Sequence, residues 1–131
     1  MRLQNNNYRV LIVDGSLMIV DRLNTLLKEL SCDNCVCSAG SYGEAIERLS
    51  SDKFNIVLLD TQLPGKNGFE LLSFIKGNYP ATKTIMFTNQ VSDFYRTKGE
   101  KIGTDHFFDK SSEFDKVVEI IKEYSLGYQM N

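Results

Sequence analysis

Four apolar runs in this chain each lead into a residue that could do chemistry. Val10-Leu11-Ile12-Val13 runs into Asp14, and Ile56-Val57-Leu58-Leu59 into Asp60. Thr84-Ile85-Met86-Phe87 runs into Thr88, and Asp105-His106-Phe107-Phe108 into Asp109-Lys110. Two carboxylates and a strand-end carbonyl form a hard, oxygen-only donor set of the kind Mg²⁺ prefers. A lysine ammonium is a point charge suited to a phosphoryl oxygen, and a threonine hydroxyl can donate to another. An Asp carboxylate can itself be the nucleophile and become an aspartyl phosphate. Phosphoryl transfer onto Asp60, with Lys110 and a metal neutralising charge, is the reaction that would use the whole set. Strand ends reach water, so any one of these residues could be polar for that reason alone. Four of these chemical types at four strand ends form a pattern that solvation does not explain.

The elements that must position them follow from periodicity. Apolar runs bounded by turn residues, such as Phe54–Leu59 before Pro64-Gly65, read as strands buried on both faces. Tyr8–Val13, the segment around Cys35-Val36-Cys37, Thr84–Phe87 and Asp105–Phe108 complete five strands. Between them the period changes to three and four. Val20, Leu23, Leu27 and Leu30 define a first helix capped by Ser16, and Ser41-Tyr42-Gly43-Glu44 is a capping box before Ala45, Ile46 and Leu49. Phe69, Leu71, Leu72 and Ile75 line a third helix that stops near Gly77 and Pro80. Residues 91–102 form a polar helix with Gly99 inside it, and Ser111-Ser112 are expected to cap a last helix with Phe114, Val117, Val118 and Ile121 inward. Alternating strand and helix imply an α/β fold with a doubly wound parallel sheet and helices on both faces. In such a sheet Asp14, Asp60, Thr88 and Lys110 all fall on the carboxyl edge, where ligands bind.

At 131 residues the chain is the size of one domain. Residues 1–7 are a polar, Asn-rich lead expected to be disordered, residues 8–124 form the domain, and residues 125–131 are a short tail without pattern. The net charge of −2 leaves no basic excess with which to grip nucleic acid. No apolar run is long enough to span a membrane and no leader pattern opens the chain, so a cytoplasmic location is expected.

These motifs resemble the receiver domain of bacterial two-component response regulators, in particular the chemotaxis-regulator-like kind. The resemblance rests on Val10-Leu11-Ile12-Val13-Asp14, on Leu58-Leu59-Asp60 with Leu63-Pro64-Gly65 and Gly68, on Phe87-Thr88-Asn89, and on Phe107-Phe108-Asp109-Lys110. It covers essentially residues 8–121, with all motifs in the family's order. It implies a flavodoxin-like five-stranded sheet in the order 2-1-3-4-5. It implies Asp60 as phosphoacceptor, Lys110 as the phosphoryl-contacting lysine, and Thr88 and Phe107 as the switch pair. Asp14, Asp60 and the backbone carbonyl of Gln62 would hold Mg²⁺. The donor would be a phosphohistidine on a sensor histidine kinase or a phosphotransfer protein. A downstream protein would bind the face built from the fourth helix, fifth strand and last helix. The resemblance allows a homodimer, and describes a signalling phosphoacceptor rather than a turnover enzyme. No output domain follows Asn131, so the protein would act alone through partners or be part of a longer chain.

One position departs from the family. Receivers usually carry two adjacent acids after the first strand, and here Asp14 is followed by Gly15. Mg²⁺ keeps several waters and needs few carboxylates, so a weaker site could survive. The alternative is a degenerate receiver that binds partners without phosphorylation. Other signals fall away. Cys32-Asp33-Asn34-Cys35 has C-x-x-C spacing but precedes a strand, whereas redox sites follow one, so buried or incidental thiols are expected. His106, the only histidine, lies in another strand, leaving no zinc set. A haloacid-dehalogenase-type phosphatase needs an acid two residues after its nucleophile, and Gln62 stands there.

Overall fold

A computed structural model describes residues 8–28 and 35–130. The expected lead of residues 1–7, with Leu30 and Cys32, lies outside the described residues. Five strands, β1 (Val10–Val13), β2 (Val36–Ala39), β3 (Ile56–Leu59), β4 (Lys83–Thr88) and β5 (His106–Asp109), form one sheet in the order β2-β1-β3-β4-β5. Every pairing is parallel. Each crossover is a helix: α1 (Leu17–Leu26), α2 (Tyr42–Ser51), α3 (Gly68–Asn78) and α4 (Asp93–Ile102), with α5 (Phe114–Met130) last.

Alternation along the strands sends side chains into two cores. Val10, Ile12, Ile56, Leu58, Ile85 and Phe87 meet Val20, Leu23 and Leu27 of the α1 segment and Phe114, Val117 and Ile121 of α5. Leu11, Val13, Val57, Leu59 and Met86 meet Ala45, Leu49, Phe69, Leu72 and Ile75 on the opposite face. Both faces of the sheet are therefore covered, which is why β1 and β3 read as unbroken apolar runs.

Helix starts follow the sequence closely. The Ser16 hydroxyl accepts from the Ile19 amide, Ser41 from Glu44, and Asn67 from Glu70, while the Glu44 carboxylate accepts from the Gly40 amide at 2.7 Å. Three readings are corrected. Ser111 does not cap the last helix; its amide and hydroxyl donate to Asp109 Oδ1 at 2.9 and 2.7 Å, closing a turn ahead of α5. The helix also continues through the residues read as a tail: Ser125 is buried, and the Tyr128 ring meets Tyr8 edge-on at 5.5 Å. Cys35 is disulfide-bonded rather than an incidental thiol. The Cys37 sulfur accepts from Arg9 Nη2 at 3.4 Å.

Two glycines have packing reasons. A Cβ on Gly99 would stand 3.2 Å from Phe107 Cδ2, so the bare backbone lets α4 lie on the Phe107 ring. A Cβ on Gly68 would stand only 1.8 Å from the Asp60 carbonyl oxygen. The first turn of α3 is thus pressed against the backbone at the end of β3, and the Gly68 amide donates to the Thr61 carbonyl at 2.8 Å.

Candidate functional site

Register fixes which residues meet. Val13 of β1 pairs with Leu59 of β3, so Asp14 and Asp60 emerge side by side from adjacent strands. Thr88 ends β4 one strand further and pairs with Asp109, and Lys110 follows at the end of β5. The Lys110 ammonium reaches back across the sheet edge. Its Nζ donates to Asp14 Oδ2 at 2.6 Å and to Asp60 Oδ2 at 2.7 Å. The other oxygens are held by backbone: the Ser16 amide donates to Asp14 Oδ1 at 2.8 Å and the Gln62 amide to Asp60 Oδ1 at 3.3 Å.

The three charged side chains differ in exposure. Asp14 is 6% exposed, Lys110 8% and Asp60 14%, so Asp60 is the most accessible of the three. Burial by itself lowers the Lys110 pKa, and it is the largest single influence. The hydrogen bonds and charges of Asp14 and Asp60 together outweigh it and raise the pKa, so the ammonium stays charged. Two carboxylates and one ammonium leave a single net negative charge in the pocket.

Thr88 is buried and does not bond either carboxylate in this arrangement. Its hydroxyl lies 2.8 Å from the Thr61 hydroxyl, which in turn donates to Gln90 Oε1 at 2.9 Å. The Gln90 amide donates to Thr88 Oγ1 at 3.1 Å. Phe107 is buried beneath α4, with the Arg96 guanidinium 5.0 Å from its ring centre and Arg96 Nη1 donating to the Phe107 carbonyl at 3.3 Å. Asp109 is at the edge, but its carboxylate accepts from Ser111 and stays out of the cluster.

Asp14, Asp60 and Lys110 are therefore brought into direct contact, with Thr88 and Phe107 on the neighbouring strands. Thr61 and Gln90 are partners that the sequence reading did not single out. Thr61 directly follows Asp60 and Gln90 lies two residues after Thr88, so position was the available signal. Among the described residues no group of three or more His, Cys, Asp and Glu side chains stands together as a metal cluster. Asp14 and Asp60 are oxygen donors right in kind for Mg²⁺, and Gly15 beside them supplies no further side chain.

Comparison with known proteins gives the family and the fold. Residues 10–122 match the family described as the response regulator receiver domain. The chain is 27% identical to protein PilG of Pseudomonas aeruginosa, over 95% of this chain and 92% of that protein. It also matches the Fimbriae Z protein of Salmonella typhimurium at 27% identity, over 91% of this chain but 57% of that protein. This chain thus spans little more than half of the latter relative. Among solved structures, a CheY-like response regulator receiver domain protein from Methanospirillum hungatei superposes with a TM-score of 0.81. It is 29% identical, with 93% of this chain and 96% of that one covered. With its sheet order and its strand-end charges in register, this chain belongs to the receiver domain family of two-component response regulators.

Proposed function

We propose that the chain accepts a phosphoryl group on Asp60 from a phosphohistidine of a sensor kinase or phosphotransfer protein. The observation that carries this reading is the Lys110 ammonium bridging Asp14 and Asp60, with Asp60 the most exposed of the three. An Asp60 carboxylate oxygen would attack phosphorus as the phosphorus–nitrogen bond of the donor breaks. The electron pair returns to the imidazole, which takes its proton from water. Lys110, already on Asp60 Oδ2, would turn to the phosphoryl oxygens. Thr88 would donate its hydroxyl to one of them. Asp14, Asp60 and the Gln62 carbonyl would hold Mg²⁺, which when bound supplies positive charge toward the phosphoryl oxygens.

Contacts made only in the phosphorylated state would bias a two-state equilibrium, and a partner protein would read the result in the cytoplasm. A degenerate receiver is the second reading, and the observation favouring it is Gly15 beside a two-carboxylate donor set. Intact mass after incubation with acetyl phosphate and Mg²⁺ separates the two. The expected result is one added phosphoryl group that is lost with Asp60→Asn and with chelator. An unmodified wild-type mass across a wide magnesium range would decide for the degenerate module.

A further inference from the structure

Each threonine hydroxyl has one proton, and counting those protons orients the contacts around Thr88. The Thr61 hydroxyl donates to Gln90 Oε1, so it cannot also donate to Thr88. The 2.8 Å contact between the two hydroxyls must then run from Thr88 to Thr61. The Gln90 amide closes the circuit by donating to Thr88 Oγ1. The result is a ring in which Gln90 begins and ends the path. Its backbone gives to Thr88, Thr88 to Thr61, and Thr61 to the Gln90 side chain. Thr61 is 3% exposed and Thr88 1%, so water does not compete for these bonds.

We propose that Thr61 is a positioning residue for the site, holding the single Thr88 proton away from any anion on Asp60. The inference rests on the reading of Asp60 as the acceptor. Thr88 can donate to a phosphoryl oxygen only after it releases Thr61, so the ring opposes the switched state by about one buried hydrogen bond. Thr61 adjoins Asp60 in sequence, so the residue that carries the incoming group and the residue that restrains its sensor share one turn. The Gly68 amide on the Thr61 carbonyl holds that turn against α3. A Thr61→Val change keeps shape and volume but removes the acceptor. Thr61→Ser keeps the acceptor. Gln90→Leu removes the carbonyl that holds the Thr61 proton, so Thr61 can turn and donate to Thr88, which frees the Thr88 proton by a second route.

The test has two arms on the full chain. The first follows the Thr88 methyl resonance with nothing added. It should move in Thr61→Val and in Gln90→Leu and stay in place in Thr61→Ser. A Thr88 methyl that stays in place in both Thr61→Val and Gln90→Leu overturns the ring, and if Thr61→Val does not fold, Gln90→Leu decides. The second arm titrates beryllium fluoride with Mg²⁺, read by fluorine resonance. Removing the ring should tighten binding about fivefold, the equivalent of one modest net hydrogen bond, with Thr61→Ser at the wild-type value. Equal affinity in wild type and Thr61→Val would refute the positioning role. A wild-type chain that takes up no beryllium fluoride would refute the Asp60 reading, and the first arm would still decide the ring.

Discussion

Restoring the absent acid tests the electrostatics of the site directly. A Cβ at Gly15 would lie 3.6 Å from the Gly40 carbonyl oxygen and 3.7 Å from Pro64 Cδ, both ordinary contacts. The backbone there is not left-handed, so Gly15→Asp introduces a carboxylate without strain. The pocket then carries two net negative charges instead of one. At an effective dielectric of about 20, unit charges about 4 Å apart interact by about 4 kcal/mol, and a divalent ion doubles that. The hydration that the new carboxylate and the ion lose on meeting offsets most of it. A net gain of about 1.4–2.7 kcal/mol remains, or roughly ten- to hundredfold tighter Mg²⁺ binding. Calorimetric titration with Mg²⁺ measures the affinity, and Gly15→Asn serves as a control of the same bulk without charge. The Gly15→Asp variant should also be less stable than wild type in chelator and recover the difference in Mg²⁺, because the added charge is uncompensated until the ion binds. Equal Mg²⁺ affinity for wild type, Gly15→Asn and Gly15→Asp would refute the view that the site is one carboxylate short.

Three further outcomes follow from contacts already described. Gly68→Ala should cost about 3 kcal/mol in chemical denaturation, since its methyl would stand 1.8 Å from the Asp60 carbonyl oxygen. Gly77→Ala, where no atom lies within 4 Å, should stabilise by about 0.5 kcal/mol, and similar costs for the two would contradict the packing account. Lys110→Met should lose about 3 kcal/mol in chelator by leaving two paired carboxylates uncompensated, and Mg²⁺ should restore more stability to it than to wild type; an equal gain in both would argue that the ion does not bind between Asp14 and Asp60. Burial first, then Lys83, lowers the His106 pKa below 6.5, and the Asp105 charge only partly opposes this. The folded state therefore favours neutral imidazole, which contributes stability above 6.5 that is lost as the pH falls. The stability of His106→Gln should decline less between pH 7 and 5 than that of wild type, and parallel slopes would remove His106 from the account.

The strands and their order of chemistry were legible because burial on both faces forces apolar runs, and the first polar residue after each run marks the edge. Asp14, Asp60 and Lys110 could be placed together for that reason alone. Gly99 weakened the case for α4 from sequence, because helix propensity carries no information about the Phe107 ring that needs the missing Cβ. Ser111 read as a cap by residue type, yet α5 begins three residues later at Phe114, too far along for its hydroxyl to act as the N-cap acceptor. The end of α5 has no amphipathic period, and the Tyr128 contact with Tyr8 that accompanies it joins opposite ends of the chain. Thr61 and Gln90 carried only a signal of position, for a similar reason. A threonine after a strand-end acid has many uses, and only the pairing of β3 with β4 puts its hydroxyl beside Thr88.

The Lys110 bridge also bears on how the chain folds. It joins residues 96 and 50 positions apart, so it forms only after β1, β3 and β5 share a sheet. Loop closure of that span must precede any electrostatic return, and the local apolar contacts of β1 and β3 with their helices are expected to nucleate the sheet. The bridge should therefore be absent from the folding transition state. Its loss in Lys110→Met would leave the refolding limb of a chevron nearly unchanged and appear as faster unfolding, with a φ-value near zero. The residues that read as chemistry would then govern the lifetime of the native state, and the sheet beneath them the speed at which it is reached.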